Sequence, residues 1–153
     1  MTQENKELLL KDLCARLPYE VIGKCEIDAS YDTSFNTIFQ THKFDAVVYG
    51  LKEELLFVTP LIEDIDEQNF AEEEVANGVF ISDFKPYLFP LSIISNKTLR
   101  NFDAFADAKT SCVIIEFFNS HYIDYRGLIE KGLAIDATNL NIYHDRERKS
   151  KSL

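Results

Sequence analysis

Tryptophan is absent from this chain, methionine occurs once, and glycine and proline number only 5 and 4 in 153 residues. So few glycines leave no phosphate-cradling loop. Nothing resembles a Walker loop, a dinucleotide fingerprint or a Gly-x-Ser-x-Gly elbow. Cysteine is scarce as well. Cys14, Cys25 and Cys112 are odd in number and widely spaced, which argues against a secreted disulfide framework. Their apolar or strand-like neighbours predict buried free thiols. With His42, His121 and His144 as the 3 histidines, no Cys-x-x-Cys or His-x-x-x-His pair exists. The sequence therefore offers no metal site and no cofactor.

Basic residues are the minority, 16 Lys and Arg against 26 Asp and Glu, for a net charge of -10. Neutralising phosphates needs the opposite surplus, so direct nucleic-acid binding and attachment to anionic membranes are both disfavoured. Apolar runs such as Cys112–Ile115 fall far short of the roughly 20 residues that span a bilayer. Leu8, Leu9 and Leu10 are followed at once by Lys11 and Asp12, which is unlike a signal peptide. The expected location is cytoplasmic.

What is present orders itself by period. Leu9, Leu10, Leu13 and Leu17 recur at spacings of three and four, with Leu8 widening the stripe. This predicts a helix over 4–17, capped by Thr2 and ended by Pro18, with Lys6, Lys11, Asp12 and Arg16 on its wet side. Alternation then predicts strands over 19–27, 35–41, 45–49, 55–58 and 79–81, with turns at 28–34 and 50–54. Between them, Glu63, Asp64, Asp66, Glu67, Glu72, Glu73 and Glu74 crowd seven carboxylates into 60–77, a solvated loop or short exposed helix. That stretch lacks the glycine and spaced oxygens of an EF-hand loop. Pro86 and Pro90 make 85–90 a packed, extended connector. Helical spacing returns around Leu99, Phe102, Phe105 and Ala106 and again over 111–121, and Asp124 is positioned to cap a short helix through Leu133. The order predicts an α+β fold: an N-terminal helix, a small antiparallel sheet of four or five strands with room for a partly open barrel, then two or three C-terminal helices. Residues 1–144 are expected to form a single domain and 145–153 a flexible charged tail.

Three segments carry a resemblance. They are Leu8–Tyr19 (LLLKDLCARLPY), Lys85–Pro90 (KPYLFP), and Asp124–Ala134 (DYRGLIEKGLA) preceded by His121. Together they resemble a family of small, uncharacterised proteins of gut anaerobic bacteria and their phages. The resemblance implies a bacterial or phage setting and no particular activity. The family has glycine where this chain has Glu20 and arginine where it has Phe89.

His121, Asp124, Tyr125 and Arg126 form the densest group of mixed chemistry. One reading makes His121 a base oriented by Asp124, with Arg126 holding an anion. The other makes the group a corner in which Asp124 caps, Arg126 pairs with a carboxylate and Tyr125 packs. Gly127 is expected to allow close packing there. Tyr87, Phe89 and Leu91 beside the prolines suggest an exposed apolar patch, a mark of protein contacts. No catalytic constellation meets its spacing test, so the leading expectation is a non-enzymatic protein-interaction module with a protein partner of bacterial, phage or mobile-element origin. Tyr87, Phe89, Leu91, Glu72, Glu73 and Glu74 are its candidate contacts. Two alternatives stand beside it: an acidic DNA-mimic inhibitor of a nucleic-acid enzyme, and an enzyme using His121 and Asp124.

Overall fold

A computed structural model describes residues 1–32, 37–95 and 108–143. The helix expected around Leu99–Ala106, His144 and the tail 145–153 lie outside the described residues. Contacts divide the chain into two compact units, Met1–Pro86 and Tyr87–Leu153.

The first unit opens with helix α1, Gln3–Arg16, whose first turn is capped by Thr2 Oγ1 accepting from Asn5 N at 3.2 Å. Pro18 and its neighbours form a 3-10 turn, Leu17–Tyr19, where the helix was expected to end. The buried face holds only half of the leucine stripe read from the sequence. Leu9, Asp12, Leu13 and Arg16 are the buried residues, while Leu8, Leu10 and Leu17 are only half-buried. Asp12 and Arg16 thus leave the wet side. Arg16 Nε and Nη2 donate to the two Asp12 oxygens at 2.7 and 3.0 Å, and each charge neutralises the other inside the protein. The helix contacts the 3-10 turn Ile81–Asp83. Lys6 Nζ reaches Glu54 at 2.7 Å and pins the helix to the hairpin below it.

Glu20, which follows the 3-10 turn, has φ of 56°. An L-residue in this left-handed region costs roughly 1–2 kcal/mol that glycine avoids. Glu20→Gly is therefore expected to raise stability by about 0.5–1 kcal/mol after the larger chain entropy of glycine is deducted. A urea midpoint that falls instead would show that contacts of the Glu20 side chain outweigh the backbone strain.

Five strands follow: β1 (Ile22–Asp32), β2 (Thr37–Lys52), β3 (Leu55–Pro60), β4 (Val79–Phe80) and β5 (Phe84–Pro90). The strands expected at 35–41 and 45–49 are one, β2. Its polar middle is continuous because Thr41 and Lys43 face solvent, where Thr41 Oγ1 donates to Asp28 and Lys43 Nζ meets Glu26, each at 2.7 Å. The pairings within this unit are antiparallel, β4 to β3, β3 to β2, β2 to β1 and β1 to the start of β5. Gly23 lies opposite Pro86. A Cβ there would overlap the Phe84 ring and sit 2.5 Å from the Lys85 carbonyl oxygen, so β1 and β5 approach closely only through glycine. The proline-bearing connector is thus a strand. Pro86 takes the last β1 position and Pro90 ends β5.

The acidic stretch folds as helix α2, Ile65–Val75. Asp64 Oδ1 accepts from Asp66 N and Glu67 N, both at 3.0 Å, and two acids in the first turn suit the positive end of the helix dipole. Ala71 and Val75, one turn apart, are buried, and the helix contacts β3. Gly78 closes the helix with its amide on Val75 O at 2.9 Å and φ of 92°.

In the second unit the rest of β5 pairs in parallel with two short strands, β6 (Ile123–Asp124) and β7 (Ile135–Asp136). The pairing is therefore mixed rather than wholly antiparallel, in the order β4-β3-β2-β1-β5 within the first unit and with β6 and β7 both on β5 within the second, and the described strands do not close into a barrel. The long link from β5 to β6 permits the parallel pairing. That link contains helix α3, Ala108–Ser120. Among the described residues α3 is the one C-terminal α-helix, against the two or three expected. The helix foreseen over 124–133 is a chain of turns. Gly127 and Gly132 have φ of 71° and 68°, which leaves too few residues between them to propagate a helix. Nothing lies within 4 Å of a Cβ on Gly127, so its backbone, not close packing, needs glycine. Among the described residues no helix is long and apolar enough to cross a membrane.

Candidate functional site

A groove of about 440 Å³ lies in the first unit between the β1–β2 ribbon and α2. Its position follows from strand alternation. Glu26, Asp28, Thr41 and Lys43 take the solvent face of the ribbon, which leaves Cys25, Ile27, His42 and Phe44 for the other face. Ile27, His42 and Phe44 form the floor, and Phe70 and Ala71 of α2 form a wall. The His42 and Phe70 rings lie 4.9 Å apart, tilted by 46°. Asp66 and Glu67, both exposed, stand on the α2 rim. The arrangement is an apolar trough with carboxylates along one lip. It suits a ligand that is aliphatic along its length and positive at its end.

Cys25 lies behind this floor, paired with Phe44 across the ladder and fully buried. Burial pushes its thiol up to about 12, with the negative charges of Asp45 and Asp83 adding to the effect. A thiol so protonated is a poor nucleophile. Cys14 and Cys112, expected to be buried, are exposed. Titration with a thiol reagent at neutral pH is thus expected to show two fast thiols, with the third reacting only in denaturant. Rapid reaction of all three would mean that β1 opens readily.

The site residues read from the sequence fall in several places. Glu72, Glu73 and Glu74 are all exposed on α2 beyond the groove, and Glu72 accepts from Gln68 Nε2 at 2.6 Å. The apolar patch does not form as expected. Tyr87 is only 4% exposed, Phe89 is half-buried with its ring 6.1 Å from that of Tyr143, and Leu91 alone is exposed. The cause is the strand: Tyr87 and Leu88 pair with β7, and Tyr143 Oη donates to Tyr87 O at 2.8 Å.

Around His121 the structure shows a corner. Asp124 is buried, and its two oxygens accept from Leu128 N and Ile129 N at 2.9 and 2.8 Å, capping the turn after β6. His121 is exposed, stacks on Phe117 at 4.1 Å, and places Nδ1 2.9 Å from Phe117 O. Tyr125 stacks on Phe118 at 5.5 Å, and Arg126 Nη2 donates to the Tyr125 hydroxyl at 2.7 Å. Asp124 thus organises backbone, while His121 is held by the end of α3. Sequence reasoning named Asp66 and Glu67 but missed Ile27, His42, Phe44 and Phe70 as one surface. The available signal was His42 and Phe44 at strand alternation, which the assumed break in β2 concealed.

No family model, curated protein or solved structure matches the chain.

Proposed function

We propose that the protein is a non-enzymatic interaction module of a bacterial, phage or mobile-element system, and that the groove between β2 and α2 is its contact surface. The observation that carries this reading is the groove itself, a largely apolar floor of Ile27, His42 and Phe44 walled by Phe70, under the carboxylates of Asp66 and Glu67. The net charge of -10 favours a partner with a basic contact segment and speeds its encounter. Lysine or arginine stems would cover the floor while their charges meet the rim.

A fluorescein-labelled peptide of alternating lysine and valine tests this. It is expected to bind, more weakly at higher salt, whereas the alternating glutamate–valine peptide does not. Asp66→Asn with Glu67→Gln is expected to lower affinity about three- to tenfold, the effect of losing partly exposed charge pairs. Phe70→Ala should lower it further by removing the wall. Binding that ignores both the peptide's charge and these substitutions would overturn the assignment.

The exposed run Glu72–Glu74 supports a second reading, an acidic surface that occupies the DNA site of a nucleic-acid enzyme. Such a complex would be displaced by duplex DNA and would survive Asp66→Asn and Glu67→Gln.

A further inference from the structure

Building on the groove reading, we propose that the partner enters as an extended basic segment that adds a strand to the outer edge of β2 at Thr41–Lys43, in line with β3. β1 occupies one edge of β2 throughout, from Ile22↔Val47 to Asp32↔Thr37. On the other edge the β3 ladder reaches only Ala46↔Pro60, and one further bond follows, Leu61 N to Asp45 O at 2.7 Å. The chain then departs towards the Asp64 cap of α2. The Asp45 carbonyl therefore points to this outer edge. Alternation sends the N–H and C=O of Lys43 and Thr41 the same way. Among the described residues no strand pairs with them.

Two features fit this edge to a strand rather than to a folded surface. The open positions adjoin the groove, which Thr41, His42, Lys43, Phe44 and Ile62 all line. Alternate side chains of an added strand would then lie on the groove side, over Phe44 and towards Phe70, within the field of Asp66 and Glu67. The Thr41 and Lys43 side chains are held on the opposite face by Asp28 and Glu26, so they leave the edge uncovered. Main-chain bonds would supply affinity and the groove would select side chains, the usual division in strand addition. A basic segment fits where a second copy of this chain, itself at -10, would be repelled.

Hydrogen exchange read by NMR on the full chain decides it, with the alternating lysine–valine peptide as probe. On saturation the Thr41 and Lys43 amides should slow by more than about tenfold, while the His42 amide, which faces β1, changes little. Two N-methylated forms of the peptide, one on every lysine amide and one on every valine amide, provide the reciprocal test. One should lose more than about tenfold in affinity and the other should bind as the parent does. Binding with unchanged exchange at Thr41 and Lys43, or with both methylated forms equally tight, would overturn strand addition and leave the groove reading standing. No binding of any peptide overturns both. Peptide-independent dimerisation that slows the same amides would assign the edge to a second copy and overturn the basic-segment proposal.

Discussion

Asp12→Ala is expected to destabilise the protein by about 3–5 kcal/mol, the range for removing one partner of a buried ion pair. Both side chains of the pair are at 0% exposure, and the contact is bidentate, with Arg16 Nε 2.7 Å from Asp12 Oδ2. Alanine at position 12 favours the helix by roughly 0.5 kcal/mol, so local propensity opposes the loss and cannot explain it. What remains after the substitution is a guanidinium inside the protein without its carboxylate. The double change Asp12→Val with Arg16→Met removes both charges and nearly keeps the volume. It is expected to lie within about 1 kcal/mol of the parent or above it. Urea midpoints of the two variants, with equal slopes, check the pair. A shift below about 1 kcal/mol for Asp12→Ala would mean that water reaches Arg16 and that the site is not dry.

The same pair shows where sequence reading of this chain stops. The period of α1, its Thr2 cap and its end at Pro18 were all legible, because helix periodicity, capping and proline sterics are local. Which side faces inward was legible at Leu9 and Leu13 but not at Asp12 and Arg16. Charged residues at positions 12 and 16 read as a wet face until their mutual neutralisation is seen, and only geometry shows that. The long strand β2 was split in reading for a related reason. Thr41, His42 and Lys43 look like a polar break, yet two of them face solvent on a continuous ladder with β1. That error hid the groove, since His42 and Phe44 belong together only if the strand is unbroken. In the second unit, Asp124 as a cap was legible from its type and place. The parallel pairing of β6 and β7 with β5 was not, because it joins residues more than thirty positions apart. The left-handed φ at Gly127 and Gly132, which stops a helix from forming between them, is likewise a property of the folded backbone.

Leu13→Ala is the other large expected effect, a loss of about 2–5 kcal/mol. Leu13 is 1% exposed and Leu9 is 0% exposed, both on the face of α1 that also holds Asp12 and Arg16. An isolated helix of this length is marginal in water, so α1 persists because that face is covered. Truncating Leu13 removes burial and leaves a void beside the ion pair, where loosened packing would also admit solvent to the charges. The spread of the estimate reflects how far the neighbouring side chains can relax into the space. Cys14→Ala is the control: it is the next residue on the same helix but exposed, and its effect is expected within about 0.5 kcal/mol. The comparison therefore reads tertiary packing rather than helix propensity. Equal, small shifts in the two urea midpoints would mean that α1 is a loosely held appendage, and the buried ion pair would then have no dry interior to occupy.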